Sequence, residues 1–152
     1  VLAMIEGGAD ATHNPRECLA LGRLFEQTGQ GTRAEACYVR AAHLVGAAWD
    51  AAVEDEAARG EALRSLALRL RRERRYNEAA VLWHQVLEIS VSAPDLQREA
   101  IEALAIHHEH RSRDLDAALS YALRGFEREA DDRFRQELER RLARLKRKMT
   151  AR

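Results

Sequence analysis

The amino-acid sequence predicts an all-α protein: an α-solenoid of about three helical hairpins, closed by a C-terminal capping helix. Alanine, leucine, arginine and glutamate dominate its 152 residues, only two of which are proline, so almost every window favours helix. Apolar residues recur at spacings of three and four, the periodicity of amphipathic helices. Glycine, proline or short polar runs separate the helical segments in pairs, which predicts antiparallel hairpins.

The first hairpin is predicted at about residues 15–46, after a helix end at Val1–Ile5. Pro15 stands where prolines open helices, Gly29 closes the first helix, and Thr32 can cap the second. Close packing of the two helices is indicated by Leu19, Gly22 and Phe25 on the first and by Ala34, Tyr38 and Ala41 on the second. This combination resembles the tetratricopeptide (TPR) repeat.

The second hairpin is predicted at about residues 60–91. Its second helix, 75–89, has Asn77 as a candidate cap. The apolar faces of the two helices are formed by Leu63, Leu66, Ala67, Leu70, Ala79, Leu82, Trp83 and Val86. The acidic stretch between Gly46 and Gly60 could be a short extra helix or an extension of its neighbours. Trp49 and Trp83 are interpreted as packing residues rather than stacking platforms for bases.

The third hairpin is predicted at about residues 94–129, and the capping helix at 131–149. Pro94 opens the hairpin, 96–110 form its first helix, and Asp114 caps its second. The capping helix carries an apolar stripe of Phe134, Leu138, Leu142, Leu145 and Met149. Such a stripe suits a helix that covers the end of a repeat array; a self-pairing coiled coil is the alternative. Residues 1–152 are therefore predicted to form a single TPR-like domain.

Composition excludes several function classes. Lys+Arg and Asp+Glu both total 25, so net charge alone favours neither a nucleic-acid nor a membrane partner. No apolar run approaches the roughly 18–20 residues that cross a bilayer, and two cysteines indicate no disulfide framework. We expect a cytoplasmic location and no membrane partner. The chain begins at Val1 rather than at methionine, which suggests a trimmed chain or a piece of a longer protein.

One segment is similar to a narrower family. Residues 104–119, LAIHHEHRSRDLDAAL, resemble a signature of bacterial proteins in which a ribonuclease-H-like exonuclease domain precedes a C-terminal TPR region. Residues 141–145 and the first four residues also resemble parts of that family. The resemblance implies a fragment of a nucleic-acid-processing protein. Because the family's metal-binding acidic residues lie upstream, it implies no catalytic residue, metal or cofactor within this chain.

Few residues suggest chemistry. His107 and His110 are close enough on a helix to share a metal ion, but a zinc site needs three or four convergent ligands. The alternative is that these histidines, with Glu109 paired to an arginine, end a helix. Cys18 and Cys37 fall on facing helices at small, buried positions, which indicates packing rather than a redox pair. No phosphate-binding glycine loop or catalytic triad is present.

Arginine is the most informative residue type. The first helices of the hairpins would line the concave face of a TPR solenoid. The candidate ligand-binding residues there are Arg16, Arg23, Arg64, Arg71, Arg72, His107, His110 and Arg111. A basic groove of this kind would attract an acidic peptide or a phosphate backbone; the alternative is a solvated surface with the partner bound elsewhere. The tail from Arg140 to Arg152 adds seven basic residues and no acidic one.

The sequence therefore predicts a non-catalytic interaction scaffold. The expected partner is a protein or peptide, with the nuclease domain of the parent protein as one candidate. The alternative function is binding of an RNA or DNA backbone through the arginine-rich face, in support of an upstream nuclease. An enzyme is not expected.

Overall fold

The computed structural model describes residues 6–44, 52–89, 93–128 and 132–151. This part of the chain is helical apart from short connections, so the predicted all-α class is confirmed. The seven helices are α1 (Pro15–Gln27), α2 (Gly31–His43), α3 (Ala52–Arg72), α4 (Tyr76–Glu88), α5 (Pro94–His107), α6 (Leu115–Arg128) and α7 (Asp132–Thr150). A 3₁₀ turn precedes α1, and a π-helical turn at His108–Ser112 follows α5. The helix end predicted at Val1–Ile5, and Trp49, lie outside the described residues.

The helices pack in chain order. Each helix contacts the next, and the tightest pairs are α1 with α2, α3 with α4, and α5 with α6. Contacts also join α1 to α3 and α3 to α5, so the first helices of the three pairs lie side by side. This arrangement places α7 against α6 at one end. Within the described ranges, no helix is both long enough and apolar enough to cross a membrane.

Two apolar clusters hold the helices together. The larger one extends from α1 to α5 and includes the fully buried Phe25, Tyr38 and Leu63. The smaller one lies between α6 and α7 and consists of Leu115, Ala118, Ala122, Leu142 and Leu145. Burial of Leu142 and Leu145 against α6 agrees with the predicted role of α7 as a helix that covers an apolar face.

Helices α1 and α2 approach each other closely at Gly22. A Cβ atom added at Gly22 would lie 2.5 Å from Cε1 of Tyr38, which is inside van der Waals contact. The Tyr38 side chain is 1% exposed, and its hydroxyl donates to Glu26 at 2.8 Å. Burial and this carboxylate raise the pKa of Tyr38 to about 12. The aromatic ring of α2 therefore fills the space that the missing side chain of α1 leaves.

Several predicted helix bounds need correction. The second pair does not begin near residue 60: α3 begins at Ala52, so the acidic stretch from Glu54 is an extension of that helix. Asn77 and Thr32 do not cap, because α4 begins at Tyr76 and α2 begins at Gly31. The N-cap positions are occupied by Gln30 and Arg75, and neither side chain makes a capping hydrogen bond. The cap predicted at Asp114 is present, since its carboxylate accepts from the Ala117 amide at 2.9 Å.

The first two pairs use the same backbone turn. Gly29 (φ +74°) and Arg74 (φ +63°) both have left-handed backbone. The next residue's amide donates to the carbonyl five residues earlier: Gln30 to Phe25 at 2.8 Å, and Arg75 to Leu70 at 2.9 Å. This is the Schellman arrangement that ends many helices. The sequence supplies the usual glycine in the first turn and an arginine in the second.

The left-handed backbone conformation of Arg74 leads to the first prediction. Because a side chain disfavours this backbone region, we expect Arg74→Gly to raise the free energy of unfolding by about 0.5–1 kcal/mol. Urea denaturation followed by circular dichroism measures the change. The matched control is Arg71→Gly, three residues earlier within α3, which should instead lower stability by about 1 kcal/mol. A loss of stability in both variants would contradict this account of the turn.

Candidate functional site

The predicted arginine face carries carboxylates as well as cations. Arg16 of α1 pairs with Glu54 of α3, and its Nε lies 3.4 Å from Asp55. One helix further along the face, Arg64 pairs with Glu99 of α5. These pairs join the first helices of successive hairpins.

Two more of the predicted arginines are also paired. Arg23 and Arg72 lie 3.4 and 3.5 Å from the carboxylates of Glu61 and Glu26. Arg71 is exposed and has no carboxylate within 4 Å in the part of the chain that the structure describes. Arg16, Arg23, Arg64 and Arg72 therefore lie in a charge-balanced row rather than in a purely basic groove.

The other candidate residues, His107, His110 and Arg111, have different surroundings. Arg111 lies over the Tyr76 ring of α4, with its guanidinium carbon 3.8 Å from the ring centroid. His110 is exposed, and its Nε2 lies 3.6 Å from Glu109. His107 is half-buried, and its ring contacts that of His108 with a 5.3 Å centroid separation. His107 and His110 thus have different neighbours, and among the described residues no group of three metal-binding side chains is found.

An aromatic cluster that no sequence motif indicates lies between α4, α6 and the end of α5. The His108 ring stacks on Tyr121 with 5.6 Å between centroids. The Tyr121 hydroxyl is 3.1 Å from Nδ1 of His84, and Nδ1 of His108 is 3.0 Å from the Ser112 hydroxyl. Burial lowers the pKa of His107 and His108; each histidine also lies near His84, which lowers both further, while Asp114 opposes the shift at His108. The folded chain therefore favours the neutral form of His107 and of His108.

The cluster leads to the second prediction, an acid dependence of stability. The unfolded chain binds protons near the ordinary histidine pKa, whereas the folded chain binds them only at lower pH. Stability should therefore be complete above about pH 6.5 and should decline as pH falls through that value. Melting temperatures measured from pH 7.5 to 5 test this. His108→Gln should flatten the decline, whereas His43→Gln, at an exposed position, should leave it unchanged; equal profiles for all three proteins would contradict the prediction.

Glu109 is a buried carboxylate that accepts several hydrogen bonds. Its side chain is fully buried within the π-helical turn. The carboxylate accepts from Nε and Nη2 of Arg144, both at 2.8 Å, and from Lys148 at 2.6 Å. The Arg144 guanidinium, together with Lys148, lowers the pKa of Glu109 to about 2. This carboxylate ties the end of α5 to α7, so its role is to position the last helix.

A cavity of about 150 Å³ opens between α5, α6 and α7. Its walls include Ile101, Ala105, Gly125 and Leu138. Phe134 borders the cavity and is 37% exposed. The walls therefore combine small residues with branched apolar ones, which leaves room for a ligand group.

The polar edge of the cavity comes from α5 and α7. The guanidinium of Arg98 lies over the Phe134 ring, 4.8 Å from its centroid. Arg141 of α7 faces the cavity from a largely buried position, 3.8 Å from Glu102. Apolar walls with a few convergent polar groups are typical of binding pockets.

The two cysteines are both fully buried, and both are free thiols. Burial raises the pKa of Cys18 and of Cys37. A thiol with a raised pKa is a weak nucleophile. Their environment therefore agrees with the packing role that the sequence indicates.

Comparison with known proteins assigns no family to the chain: no protein-family model matches it, and neither the curated proteins nor the solved structures yield a significant match. The resemblances to TPR repeats and to the ribonuclease-H-like family therefore remain predictions from the sequence.

Proposed function

We propose that the chain is a TPR-type solenoid of three hairpins, closed by α7, and that it acts as a non-catalytic protein-interaction scaffold. The side-by-side contacts of α1, α3 and α5 support a solenoid, because stacked repeats bury their apolar faces against neighbouring repeats. The burial of the α7 stripe supports its role as the cap.

The observation that carries this function is the charge balance of the face formed by α1, α3 and α5. Arg16, Arg23 and Arg64 each have a carboxylate from the next hairpin as a partner. A phosphate backbone would have to displace those carboxylates and would be repelled by them. A polypeptide, which carries both charge signs and apolar groups, suits this surface better. The cavity beside α5 adds an apolar contact point at one end of the same group of helices.

The nuclease-family resemblance suggests one partner, the nuclease domain of the same parent protein. In that arrangement the scaffold would bind the nuclease domain in the cytoplasm and would not itself bind nucleic acid. The paired arginines would then hold the hairpins in register rather than contact substrate.

A peptide selection combined with a nucleic-acid titration tests the function. A displayed library of random dodecapeptides is selected on the immobilised chain, and anisotropy of labelled single-stranded RNA and DNA is measured at 50 and 200 mM salt. We expect enriched peptides that bind the free chain with weak salt dependence, and no nucleic-acid binding at the higher salt. The same titrations are made with the double variant Arg71→Glu, Arg72→Glu.

The opposite result would support the alternative function. Nucleic-acid binding that weakens steeply with salt and is lost in the double variant would identify a phosphate-binding surface. Arg71 is the candidate for such a contact, because it is exposed and has no carboxylate within 4 Å among the described residues. Absence of any enriched peptide, together with that result, would overturn the scaffold proposal.

A further inference from the structure

The aromatic cluster consists of His84, His107, His108 and Tyr121. The ring of His108 lies 5.3 Å from that of His107 and 6.3 Å from that of His84, measured between centroids. The Tyr121 ring lies 5.6 Å from that of His108 and 5.7 Å from that of His84. All four side chains are half-buried. A proton taken up by one imidazole therefore places its charge beside a second imidazole, in a site where charge is poorly hydrated.

The cations around the cluster oppose its protonation. Arg111 of the π-helical turn repels a charge on His107, and Arg124 of α6 lies near Tyr121. The Arg111 guanidinium lies over the Tyr76 ring, 3.8 Å from its centroid. Arg111 therefore cannot move away from a protonated His107 without losing its contact with α4.

Carboxylates near the cluster give little compensation. Asp114 attracts a charge on His108, but its side chain is exposed and already accepts from the Ala117 amide at 2.9 Å. On α4, Glu88 is exposed one turn after His84. Exposed carboxylates are screened by water and salt. Burial and the neighbouring imidazoles outweigh them, so the pKa of both histidines at the end of α5 lies below the ordinary value.

The π-helical turn is joined to α4 and α6 through this cluster. Nδ1 of His108 is 3.0 Å from the Ser112 hydroxyl, so the ring that stacks on Tyr121 is also bonded across the turn. The Tyr121 hydroxyl is in turn 3.1 Å from Nδ1 of His84. Single π-helical turns are rare and often lie at functional positions. The packing of this turn on α4 therefore depends on side chains that titrate near neutral pH.

The opposite side of the turn keeps its contacts in mild acid. Glu109 holds Arg144 and Lys148 of α7, and its pKa of about 2 keeps the carboxylate ionised in mild acid. His110 is exposed and lies 3.6 Å from Glu109, so its protonation would add an attractive charge there. Acid therefore weakens the side of the turn that faces α4 and leaves the side that faces α7 intact.

We propose that the aromatic cluster is an acid-sensitive hinge: protonation of its histidines releases the π-helical turn from α4, and α7 moves with the turn. The released turn takes up protons near the ordinary histidine pKa of about 6.5, whereas the packed cluster takes them up only at lower pH. Release therefore becomes more favourable as pH falls below that value. The hinge goes beyond the scaffold function, since it acts within the chain and requires no partner.

Hydrogen exchange of the complete chain, read out by mass spectrometry of peptic fragments, tests the hinge at pH 7.5 and 5.5. Protection factors are corrected for the pH dependence of the intrinsic exchange rate. We expect residues 105–116 to be less protected than α1 and α2 at both pH values, because local opening needs less free energy than global unfolding. Their protection should fall at least about tenfold at the lower pH, the effect of one additional proton over one pH unit.

Either of two results would overturn the hinge. Equal protection of residues 105–116 and of α1 and α2 would mean that these residues exchange only through global unfolding. Lower protection that is the same at both pH values would mean that the turn opens without any contribution from the histidines.

Variants assign the effect to the cluster. His108→Phe keeps a ring against Tyr121 and His107→Asn keeps a small polar group, but neither new side chain can be protonated. In the double variant, protection of residues 105–116 should change less than about twofold between the two pH values. His43→Asn, at an exposed histidine of α2, is the matched control and should keep the full response.

Melting temperatures at pH 7.5 show whether each variant is folded. His107→Asn alone, which leaves the stacked His108 ring in place, should show a reduced response and replaces the double variant if that variant does not fold. A full pH response in a folded variant that lacks these imidazoles would refute the role of the histidines.

Discussion

Glu109→Ala should detach the last helix from the rest of the protein. The substitution removes a buried carboxylate that holds Arg144 through two hydrogen bonds and Lys148 through a third. Both cations are partly exposed and can be hydrated again, so the loss is smaller than for a fully buried pair. We expect the free energy of unfolding to fall by about 3 kcal/mol. The melting temperature should fall by roughly 10 °C, measured by circular dichroism.

The control for this variant lies on α7 itself. Glu139→Ala removes an exposed carboxylate and should change stability by less than about 0.5 kcal/mol. Trypsin should cut the arginine-rich α7 sooner in Glu109→Ala than in the control. Equal stability and equal cleavage in both variants would show that the contact does not hold α7.

The Glu109 contact also has a pH signature. Its pKa in the folded chain is about 2, whereas an ordinary glutamate has 4.5. The contribution of this depressed pKa is complete above about pH 4.5 and is lost as pH falls towards 2. The free energy of unfolding, measured by denaturation between pH 6 and 2, should therefore fall less steeply with decreasing pH in Glu109→Gln than in the unaltered chain.

Gly22→Ala should be the most damaging single-methyl substitution in the first hairpin. Elsewhere in a helix this change stabilises by about 1 kcal/mol. Here the new methyl group would lie 2.5 Å from the Tyr38 ring, and Tyr38 is held by its contact with Glu26. We expect a net loss of about 2 kcal/mol as α1 and α2 move apart, measured by urea denaturation.

A second background identifies the cause of the loss. In Tyr38→Leu the ring is absent, so adding Gly22→Ala should cost nothing and should recover part of the helix propensity. The double-mutant cycle measures the coupling between the two positions. Equal costs of Gly22→Ala in both backgrounds would mean that the ring is not what excludes the methyl group.

Local signals predicted the helices well. Pro15 opens α1 and Asp114 caps α6, since each acts within one turn of its own position. Spacing alone predicts Gly22 and Tyr38 on the close-packing faces of the two helices of the first hairpin. Asn77 and Thr32 failed as caps because tight turns bring the chain into the next helix before either residue is reached.

The pairings in the candidate site could not be predicted from the sequence. The partner of Glu109 is Arg144, 35 residues away, and that of Arg23 is Glu61, 38 residues away. Such pairings depend on the register between packed helices, which no local pattern encodes. The cavity near Arg141 depends in the same way on small residues from α5 and α6 that meet only in the folded chain.

The division of the apolar interior into two clusters has a consequence for local opening. Leu142 and Leu145, the buried apolar residues described in α7, belong to the smaller cluster, so the amide hydrogens of α7 should exchange with solvent sooner than those of α1 to α4. Because Glu109 joins the π-helical turn to α7, exchange in these two segments should be correlated. The cavity lies at the same boundary, and a ligand bound there would contact both sides and slow that exchange.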